Sequence, residues 1–397
     1  MKVLQINKYP SLKGGTETVL FETIRLLKES GYEVVLLSTD EGEITYAPTY
    51  TISYPDRNAS LIKRVSNLPS FFYNRSAVKV LESVIKKEKP DIVHIHLYHN
   101  SFSNSIVPVL KKHNIPVVMT LHEYRQICPS YLLLDKNQHI CEKCIDGNYF
   151  HCMFTQCAKG SLIESSLLTM EMFYRRMFYK TEKYVDKFIC PSDFVYRKHL
   201  SFNKKIADKS VVIYNPVKKI SLENINKGDY LLYFGRLSHE KGIQTLLSAM
   251  KQLPDVKLKI AGVGDLLFND IPPNVELLGF KRQEELVSII RKALFAVVPS
   301  RSYETFGLSC TESLSQGTPV IASNIGAIPE IVEHRKNGFL FDVGNVSSLV
   351  KTISEAISLS DEEYIHMAEA GQQSLIKFSA DKYIKSLLSI YKELISK

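Results

Sequence analysis

YLLYFGRLSHEKGIQTLLSAMKQLPDVKLKIA, residues 230–261, is the segment that decides the fold. The apolar run Leu231–Phe234 predicts a strand, the amphipathic pattern of Ile243–Gln252 predicts a helix, and Lys257–Ala261 predicts a second strand. A strand, a helix and a strand in this order are typical of a βαβ unit with two parallel strands. The segment therefore indicates a parallel α/β sheet that starts near residue 230.

The same alternation continues toward the carboxyl end. Further predicted strands are Glu276–Leu278, Phe295–Val298 and Pro319–Ala322, and further predicted helices are Glu284–Lys292, Gly307–Gln316 and one that begins at Pro329. Strands that alternate with short helices favour a doubly wound sheet with helices on both faces.

The first half of the chain shows the same plan. Its predicted strands are Val3–Asn7, Glu33–Ser38, Ile92–His96, Pro116–Leu121 and Phe188–Cys190, and its predicted helices are Thr18–Ser30 and Ala77–Lys89. A chain of 397 residues suits two such domains. We assign residues 1–217 to the first domain and 218–379 to the second, with the polar stretch Lys218–Asp229 as the linker, and two domains imply a cleft.

Composition and charge limit the class of protein. The chain is 45% hydrophobic and 23% charged, as expected for a globular protein. Residues 1–215 hold 29 Lys+Arg against 21 Asp+Glu, whereas residues 216–397 hold 21 against 21. A basic half attracts phosphates on nucleic acid, anionic lipid or a pyrophosphate-linked acceptor, and a merely solubilising surface is the alternative. Of these we expect the lipid or acceptor and no nucleic acid.

The sequence also bears on location. The first predicted strand begins two residues after Met1, which leaves no room for an export signal, and no apolar run approaches the ~20 residues of a membrane-spanning helix. We expect a cytoplasmic protein that can lie on the inner face of the membrane. The stretch from Lys63-Arg64 through Phe71-Phe72-Tyr73 to Arg75 combines cations with aromatic residues and suits an anionic membrane surface.

Two basic residues follow the strand predicted at Leu231–Phe234. Arg236 and Lys241 lie in a loop bounded by Gly235 and Gly242. Ligands of doubly wound sheets bind outside the carboxyl ends of the strands. A guanidinium fork and an ammonium group suit a diphosphate whose negative charge grows during a reaction. We predict a diphosphate site, and the alternative is a pair of solvated surface cations.

A second group follows the strand predicted at Phe295–Val298. Glu304 lies in the loop after this strand, and Glu312 lies inside the next helix. Phe306-Gly307-Leu308, at the start of that helix, would present unpaired N–H groups to an anion. A carboxylate can accept hydrogen bonds from sugar hydroxyls or from a ribose diol, although two such residues are also common as helix-surface charges.

Other candidates lie in the first half. Gly14-Gly15 follows the first strand and precedes a helix, where glycines let backbone N–H groups approach a phosphate or simply form a turn. His122 ends the strand predicted at Pro116–Leu121. His94 and His96 flank Ile95 and point to one face of their strand, either packed together or lining a cleft.

These motifs resemble the family 4 glycosyltransferases, which have the GT-B fold of two Rossmann-like domains facing each other across a cleft. The resemblance extends to Gly14-Gly15, to Asn215-Pro216 and to residues 323–330, so it covers most of the chain. It implies that the first domain binds the acceptor and the second the donor, and that the terminal helix, residues 380–397, packs back on the first domain.

The resemblance also implies roles for single residues. Arg236 and Lys241 would bind the diphosphate of a nucleotide-sugar, Glu304 would hold the transferred hexose, Glu312 would bind the ribose, and His122 would face the sugar. Gly14, Gly15, Phe306, Gly307 and Leu308 would complete the donor site. The implied reaction is a retaining transfer to a glycan or lipid-linked saccharide, in cell-surface polysaccharide synthesis, with no metal or other cofactor needed for catalysis. A nucleotide-sugar epimerase of related fold and a nucleotide-sugar sensor are the rival functions.

A cysteine-rich insertion departs from this core. Cys141 and Cys144 have the two-residue spacing of a metal knuckle, and Cys152 with Cys157 supplies a second pair. Four thiolates could hold a structural zinc ion, with Cys128 or His151 as a substitute ligand, and the alternative is a group of free thiols.

Overall fold

A computed structural model describes residues 1–46, 48–53, 68–217, 225, 227–266 and 270–397. The chain divides into two compact units. Unit 1 comprises Met1–Asn137, Cys141–Pro216 and Asp381–Lys397, and unit 2 comprises Gln138–Ile140 and Val217–Ala380. Each unit is a parallel α/β sheet with helices, so the predicted fold class is confirmed.

Unit 1 contains seven described strands in the order β3-β2-β1-β4-β5-β6-β7, with every pair parallel. The strands are β1 Lys2–Ile6, β2 Glu33–Thr39, β3 Thr49–Ile52, β4 Ile92–Ile95, β5 Val117–Thr120, β6 Lys187–Cys190 and β7 Ser210–Val212. The helices are α1 Gly15–Glu29, α2 Leu68–Phe72, α3 Arg75–Glu88, α4 Ile106–Lys112, α5 Phe150–Phe154, α6 Leu162–Phe178, α7 Thr181–Tyr184, α8 Asp193–Phe202 and α9 Lys204–Ala207.

Unit 2 contains six described strands in the order β10-β9-β8-β11-β12-β13, again with every pair parallel. The strands are β8 Leu231–Phe234, β9 Leu258–Ala261, β10 Val275–Gly279, β11 Phe295–Val298, β12 Val320–Ser323 and β13 Gly338–Phe341. The helices are α10 Ile243–Met250, α11 Gln283–Arg291, α12 Leu308–Ser315, α13 Val346–Ile357 and α14 Asp361–Ser374, with single 3-10 turns at His239–Lys241, Ile328–Glu330 and Leu375–Phe378.

The strand order reverses once in each sheet. In unit 1 the reversal lies between β1 and β4, where Gln5 pairs with His94. In unit 2 it lies between β8 and β11, where Leu232 pairs with Ala296. A crevice opens at the carboxyl ends of the strands at such a switch point, because the flanking connections leave in opposite directions. The candidate residues of both units follow these strands.

Buried strands anchor both switch points. All four residues of β4, β8, β11 and β12 are buried. The core of unit 2 includes Leu231, Phe295, Ile321 and Phe339, all at most 1% exposed. Because strands covered on both faces hold their register tightly, the loops that follow them start from fixed positions.

The terminal helix, α15 Ala380–Ile395, is held by two buried hydroxyl groups. The Tyr383 hydroxyl lies 2.7 Å from Thr23 Oγ1 on α1, and the Tyr391 hydroxyl lies 2.6 Å from His94 Nδ1 on β4. These contacts place α15 within unit 1.

Some predicted elements differ from the structure. The helix expected from Pro329 is only a single 3-10 turn, because the chain turns again before it enters β13. In that turn the Asn337 side chain accepts a hydrogen bond from Glu333 N. The elements that were not predicted are the strands β3, β7 and β13 and the helices α2, α4, α5, α6, α7, α8, α9, α13 and α14. The linker expected at residues 218–229 and the cations Lys63 and Arg64 lie outside the described residues, apart from residues 225 and 227–229.

Among the described helices, none combines the length and apolarity required to cross a bilayer.

Candidate active site

The loops after β8 and β11 lie against each other. Gly242 has a φ of +72°, and a Cβ on it would come within 1.8 Å of the Pro299 carbonyl oxygen. A glycine is required here both by the left-handed backbone and by the close approach. The Arg301 N–H donates to the Glu240 carbonyl at 2.8 Å and ties the two loops together.

Lys241 and Glu304 form an ion pair at this junction. Lys241 Nζ lies 2.7 Å from Glu304 Oε1, and their side chains are 30% and 16% exposed. The Ser300 hydroxyl donates to the same carboxylate oxygen at 2.5 Å. The two predicted site residues are therefore in direct contact, at the carboxyl ends of the two strands that flank the switch point.

The electrostatics keep Glu304 ionised. Burial alone would raise the pKa of Glu304, but attraction to Lys241, the hydrogen bonds from Lys241 and Ser300, and the charge of Arg236 together hold it below its usual value. A partly buried carboxylate that stays charged is a strong hydrogen-bond acceptor for hydroxyl groups.

Arg236 is much more open to solvent. Its side chain is 63% exposed and bonds Glu240 at 3.1 Å. The Tyr233 hydroxyl donates to the Arg236 carbonyl at 2.7 Å and fixes the backbone of the loop. Since the ion pair with Glu240 is exposed, it holds the guanidinium weakly, and an anionic ligand can compete for it.

A third loop, after β12, supports Glu304 from behind. The Ala327 N–H donates to the Glu304 carbonyl at 3.0 Å. Gly326 has a φ of +61°, and a Cβ there would lie 2.5 Å from the Glu304 nitrogen. The backbone of Glu304 therefore packs against a position that only glycine can occupy without strain.

The helix after Glu304 presents its amino terminus on the same side. Gly307, with a φ of +108°, caps α12, and Phe306 is buried with its ring against Phe378 at a centroid distance of 5.3 Å. Glu312 lies in the second turn of α12, and burial raises its pKa to about 7. The predicted residues Phe306, Gly307, Leu308 and Glu312 thus form one continuous segment.

Gly14 and Gly15 lie where α1 begins. Gly14 caps the helix in an extended conformation and Gly15 is its first residue. Beneath them the Glu17 carboxylate, 2% exposed, accepts a hydrogen bond from Asn7 Nδ2 at 3.0 Å, and Asn7 Oδ1 accepts from the Leu97 N–H at 3.1 Å. Asn7 and Glu17 therefore fix the glycine turn against the ends of β1 and β4.

Three histidines form a row at the switch point of unit 1. His94 and His96 are stacked with ring centroids 4.3 Å apart, and His96 Nδ1 lies 2.8 Å from His122 Nε2. Burial lowers the pKa of His94 and that of His122 to about 3, and it also holds the pKa of His96 well below its usual value. All three rings are therefore neutral at physiological pH. His122 is partly exposed, whereas His94 and His96 are buried.

The cysteine insertion has its own small core. Cys144 and Cys152 are buried with Tyr149 and Met172, and Cys157 packs against them. A hydrogen bond to Cys157 raises the pKa of Cys141, and burial raises that of Cys144 to about 12. Over the described part of the chain, no three His, Cys, Asp or Glu side chains are placed to hold a metal ion.

Several site residues escaped the sequence analysis. Ser300, which bonds Glu304, and Asn7 and Glu17, which fix the glycine turn, were not singled out, and neither was Gln5 on β1. They share a feature that the sequence does show: each is a polar residue at or just beyond the end of an otherwise apolar strand, or in the first turn of the next helix. This feature could have identified them as candidates.

Two protein-family models match the chain. Residues 13–219 match the model described as Glycosyltransferase Family 4, and residues 217–374 match Glycosyl transferases group 1. An uncharacterised glycosyltransferase of Methanocaldococcus jannaschii is 28% identical over 403 residues, 99% of each chain. The D-inositol 3-phosphate glycosyltransferase of Mycolicibacterium smegmatis is 31% identical over 179 residues, 41% of this chain and 40% of the relative.

Solved structures share the architecture. A glycosyltransferase from Rickettsia africae superposes with a TM-score of 0.68 over 99% of this chain and 98% of its own, at 19% identity. Anabaena HepE, solved in complex with UDP and glucose, gives a TM-score of 0.68 over 99% of both chains at 16% identity. The fold is GT-B, and the chain belongs to glycosyltransferase family 4.

Proposed function

We propose that this transferase moves a hexose-type sugar from a nucleotide-diphosphate donor to a glycan or lipid-linked saccharide, with retention of the anomeric configuration and without a metal. The observation that carries the proposal is the Lys241–Glu304 pair at the switch point of unit 2. It provides a cation for a diphosphate and an ionised carboxylate for sugar hydroxyls within 2.7 Å of each other.

The pair can serve both parts of a donor at once. An ammonium group has three N–H donors, so Lys241 can keep its bond to Glu304 and also donate to a phosphate oxygen. Arg236, weakly held by Glu240, can turn to the same diphosphate. The N–H groups at the start of α12 add partial positive charge next to it.

In the proposed reaction the bond between the anomeric carbon and the diphosphate oxygen breaks, and the electron pair leaves with the diphosphate. Lys241, Arg236 and the α12 amino terminus stabilise that growing charge. An acceptor hydroxyl forms the new bond from the same face, and its proton passes to the departing phosphate oxygen. Glu304 holds hydroxyl groups of the sugar, so catalysis rests on charge stabilisation and orientation.

The first experiment is a thermal-shift screen against nucleotide-sugars, because a bound ligand raises the unfolding temperature in proportion to its occupancy. UDP-glucose leads the screen, since the HepE structure contains UDP and glucose. The stabilising donor is then incubated with and without a pool of saccharide acceptors. Transfer only in the presence of acceptor supports the proposal. Rapid isomerisation of the donor alone would favour the epimerase, and binding without turnover would favour the sensor.

A membrane surface is the proposed site of action. Helix α6 exposes Ile163, Met170 and Met177 at 82%, 60% and 69%, and their spacing of seven residues puts them on one face. Phe178, the last residue of α6, is 59% exposed, and Phe154, the last residue of the preceding helix α5, is 71% exposed. Exposed apolar surface of this kind marks an interaction site.

Positive charge accompanies this face. Lys159, Lys180 and Lys183 are exposed on the segments that flank α6, and the first 215 residues carry the net positive charge of the chain. Apolar side chains next to lysines suit an anionic lipid surface, which would bring the enzyme to a lipid-linked acceptor. The predicted aromatic residues Phe71 and Phe72 lie on α2, and the Phe72 ring contacts Tyr174 of α6 at 5.4 Å.

Vesicle sedimentation tests this surface. The variant with serine at positions 163, 170 and 177 should lose binding to anionic vesicles at low salt. Phe280→Ser, which removes an aromatic side chain of unit 2 that is 71% exposed, is the matched control and should keep it. Equal binding of the unmodified protein to neutral and anionic vesicles would contradict the proposal. So would a second result: the unmodified protein self-associates, the serine variant is monomeric, and the two bind vesicles equally well.

The zinc hypothesis remains a separate proposal. Zinc would have to displace the thiol protons and draw Cys141, Cys144, Cys152 and Cys157 together, because only thiolates bind the metal. Cys144, Cys152 and Cys157 already pack in one small core, and Cys141 is hydrogen-bonded to Cys157. Metal analysis of protein purified without added zinc should give about one equivalent per chain for four thiolate ligands. Well under one equivalent, with all thiols freely reactive, would reject it.

A further inference from the structure

Two hydrogen bonds meet at one oxygen of Glu304. Lys241 Nζ lies 2.7 Å from Oε1, and the Ser300 hydroxyl donates to the same atom at 2.5 Å. A carboxylate oxygen has two lone-pair sites, so these two donors fill Oε1.

The other oxygen, Oε2, is left for a ligand. Among the described residues, no side chain or backbone N–H donates a hydrogen bond to Glu304 Oε2. Oε2 is also not one of the buried polar atoms that lack a partner, so it reaches solvent. A hydroxyl group of a ligand can therefore donate to Oε2 without displacing either of the bonds at Oε1.

The two donors to Oε1 differ in how firmly they are held. Ser300 is 1% exposed, and its hydroxyl is one rotatable bond from the backbone. The carbonyl of the residue before it packs against Gly242, and the N–H of the residue after it, Arg301, donates to the Glu240 carbonyl at 2.8 Å. Lys241 ends a flexible four-carbon stem that is 30% exposed. Ser300 is therefore the rigid donor of the two.

The backbone of Glu304 is fixed as well, because its carbonyl accepts the Ala327 N–H at 3.0 Å. The bond between Ser300 and Glu304 thus joins two anchored points of a single loop. A carboxyl group can rotate about its last bond, so a fixed donor at Oε1 determines where Oε2 points.

We infer that Ser300 is a positioning residue for Glu304: its hydroxyl holds Oε1 even while Lys241 engages a bound anion, and it thereby keeps Oε2 directed at a hydroxyl group of the sugar. The part of this inference that concerns the anion and the sugar rests on the proposed function. A diphosphate competes with the carboxylate for the exposed ammonium group of Lys241, but it cannot reach the buried hydroxyl of Ser300. The orientation of Glu304 is then independent of whether the diphosphate is bound.

Ser300 also affects the charge of Glu304. Burial raises the pKa of Glu304, and the hydrogen bond from Ser300 lowers it, because the hydroxyl donates to the ionised form. Removal of that hydroxyl should therefore raise the pKa of Glu304. The other titratable groups that interact with this carboxylate are Lys241, Arg236, Tyr233 and Cys310. Burial raises the pKa of the last two, so both are neutral at physiological pH.

Unit 2 offers a matched control in Ser313. This serine is fully buried on α12, and its hydroxyl donates to the Thr318 carbonyl at 2.8 Å. Ser313→Ala therefore removes an equally buried hydroxyl and one hydrogen bond without changing any contact of Glu304.

Carbon-13 NMR of full-length protein labelled at the glutamate carboxyl carbons tests the inference without any assay of transfer. The Glu304 signal is assigned by its loss in Glu304→Gln and titrated over the pH range in which circular dichroism shows a folded protein. Ser300→Ala should move the midpoint to higher pH. Ser300→Cys, whose thiol is a weaker donor, should move it less, and Ser313→Ala should leave it in place.

An unchanged midpoint in folded Ser300→Ala would overturn the inference, as would an equal shift in Ser313→Ala. If the alanine variant does not fold, Ser300→Cys provides the same comparison, and an unchanged midpoint in that variant would overturn the inference too.

Kinetics with the donor found in the screen, UDP-glucose first, add the functional part of the test. Ser300→Ala should lower kcat by roughly tenfold, since hydrogen bonds to charged groups are stronger than those between neutral groups. It should have no further effect in the Glu304→Ala background, because both changes act through the same carboxylate. Additive losses would overturn the coupling. If no nucleotide-sugar is turned over but the Glu304 midpoint depends on Ser300, the proposed function fails and the positioning role stands.

Discussion

The two units place different chemistry at the same position of the same fold. At the switch point of unit 2 the residues are charged: Glu304 stays ionised because Lys241 lies 2.7 Å away. At the switch point of unit 1 three histidines are kept neutral by burial, with the pKa of His122 near 3. A charged site suits a diphosphate, and a neutral, directional site suits hydroxyl groups. The difference indicates that the fold provides only the location, while the strand-end residues determine the ligand.

The largest effect is expected from the charged site. Lys241→Ala or Glu304→Ala should lower turnover by at least ~100-fold, about 2.7 kcal/mol, because each removes a charged contact that strengthens in the transition state. Steady-state kinetics on folded variants measure this. Lys251→Ala is the control, since this lysine of unit 2 forms an exposed ion pair with Asp270 and should leave turnover unchanged. Near-normal activity of either site variant would remove the proposed site.

A smaller effect is expected at the neutral site. His122→Phe should lower turnover by roughly fivefold, because a neutral hydrogen bond contributes about 1 kcal/mol. The loss should be the same at pH 5.5 and pH 8, since a histidine with a pKa near 3 does not change charge in this range. A loss that appears only below pH 6.5 would show that His122 titrates normally, and the contrast between the two units would then be wrong.

Glu312 should give the donor affinity a dependence on pH. Burial raises its pKa to about 7, so Glu312 is mostly ionised above pH 7 and mostly protonated below it. Only the ionised carboxylate can accept two hydrogen bonds from a ribose diol. The KM for the donor should therefore fall a few-fold between pH 6 and pH 8. Glu312→Gln, whose amide does not titrate, should abolish this trend, and an unchanged pH profile in that variant would assign it to another group.

The smallest effect concerns stability. Tyr391→Phe leaves His94 Nδ1 buried without the hydroxyl that lies 2.6 Å away, and it should destabilise unit 1 by about 1–2 kcal/mol. Tyr46→Phe, which removes a partly exposed hydroxyl donating to the Val34 carbonyl, should cost less. Urea unfolding followed by circular dichroism compares the two midpoints. An equal loss of stability in both variants would mean that the hydrogen bond to buried His94 contributes no more than the partly exposed bond of Tyr46.

The sequence predicted much of the fold because its strands are apolar throughout and alternate with amphipathic helices. Leu231–Phe234 and Phe295–Val298 were predicted at the bounds that the structure gives. The strand β7, Ser210–Val212, was not predicted, because three residues are too short for a recognisable period. The helix expected at Pro329 was wrong, since proline favours a first turn but cannot tell how far a helix continues.

The candidate site was predictable only where charge was involved. Arg236, Lys241 and Glu304 stand out because they are charged residues just after strands of a doubly wound sheet, where ligands bind. Gln5 and His96 could not be recognised as hydrogen-bond partners from the sequence. Their contact depends on the register between β1 and β4, which no local sequence pattern contains. The contact of Ser300 with Glu304 likewise depends on the path of a single loop.

The anomeric configuration of the product tests the central claim most directly. The enzyme is incubated with the donor found in the screen and its acceptor, and proton NMR follows the anomeric signal of the transferred sugar from donor to product. We predict an axial configuration in both donor and product, with the product formed by the unmodified enzyme and not by Lys241→Ala. An inverted, equatorial product would contradict the proposed reaction.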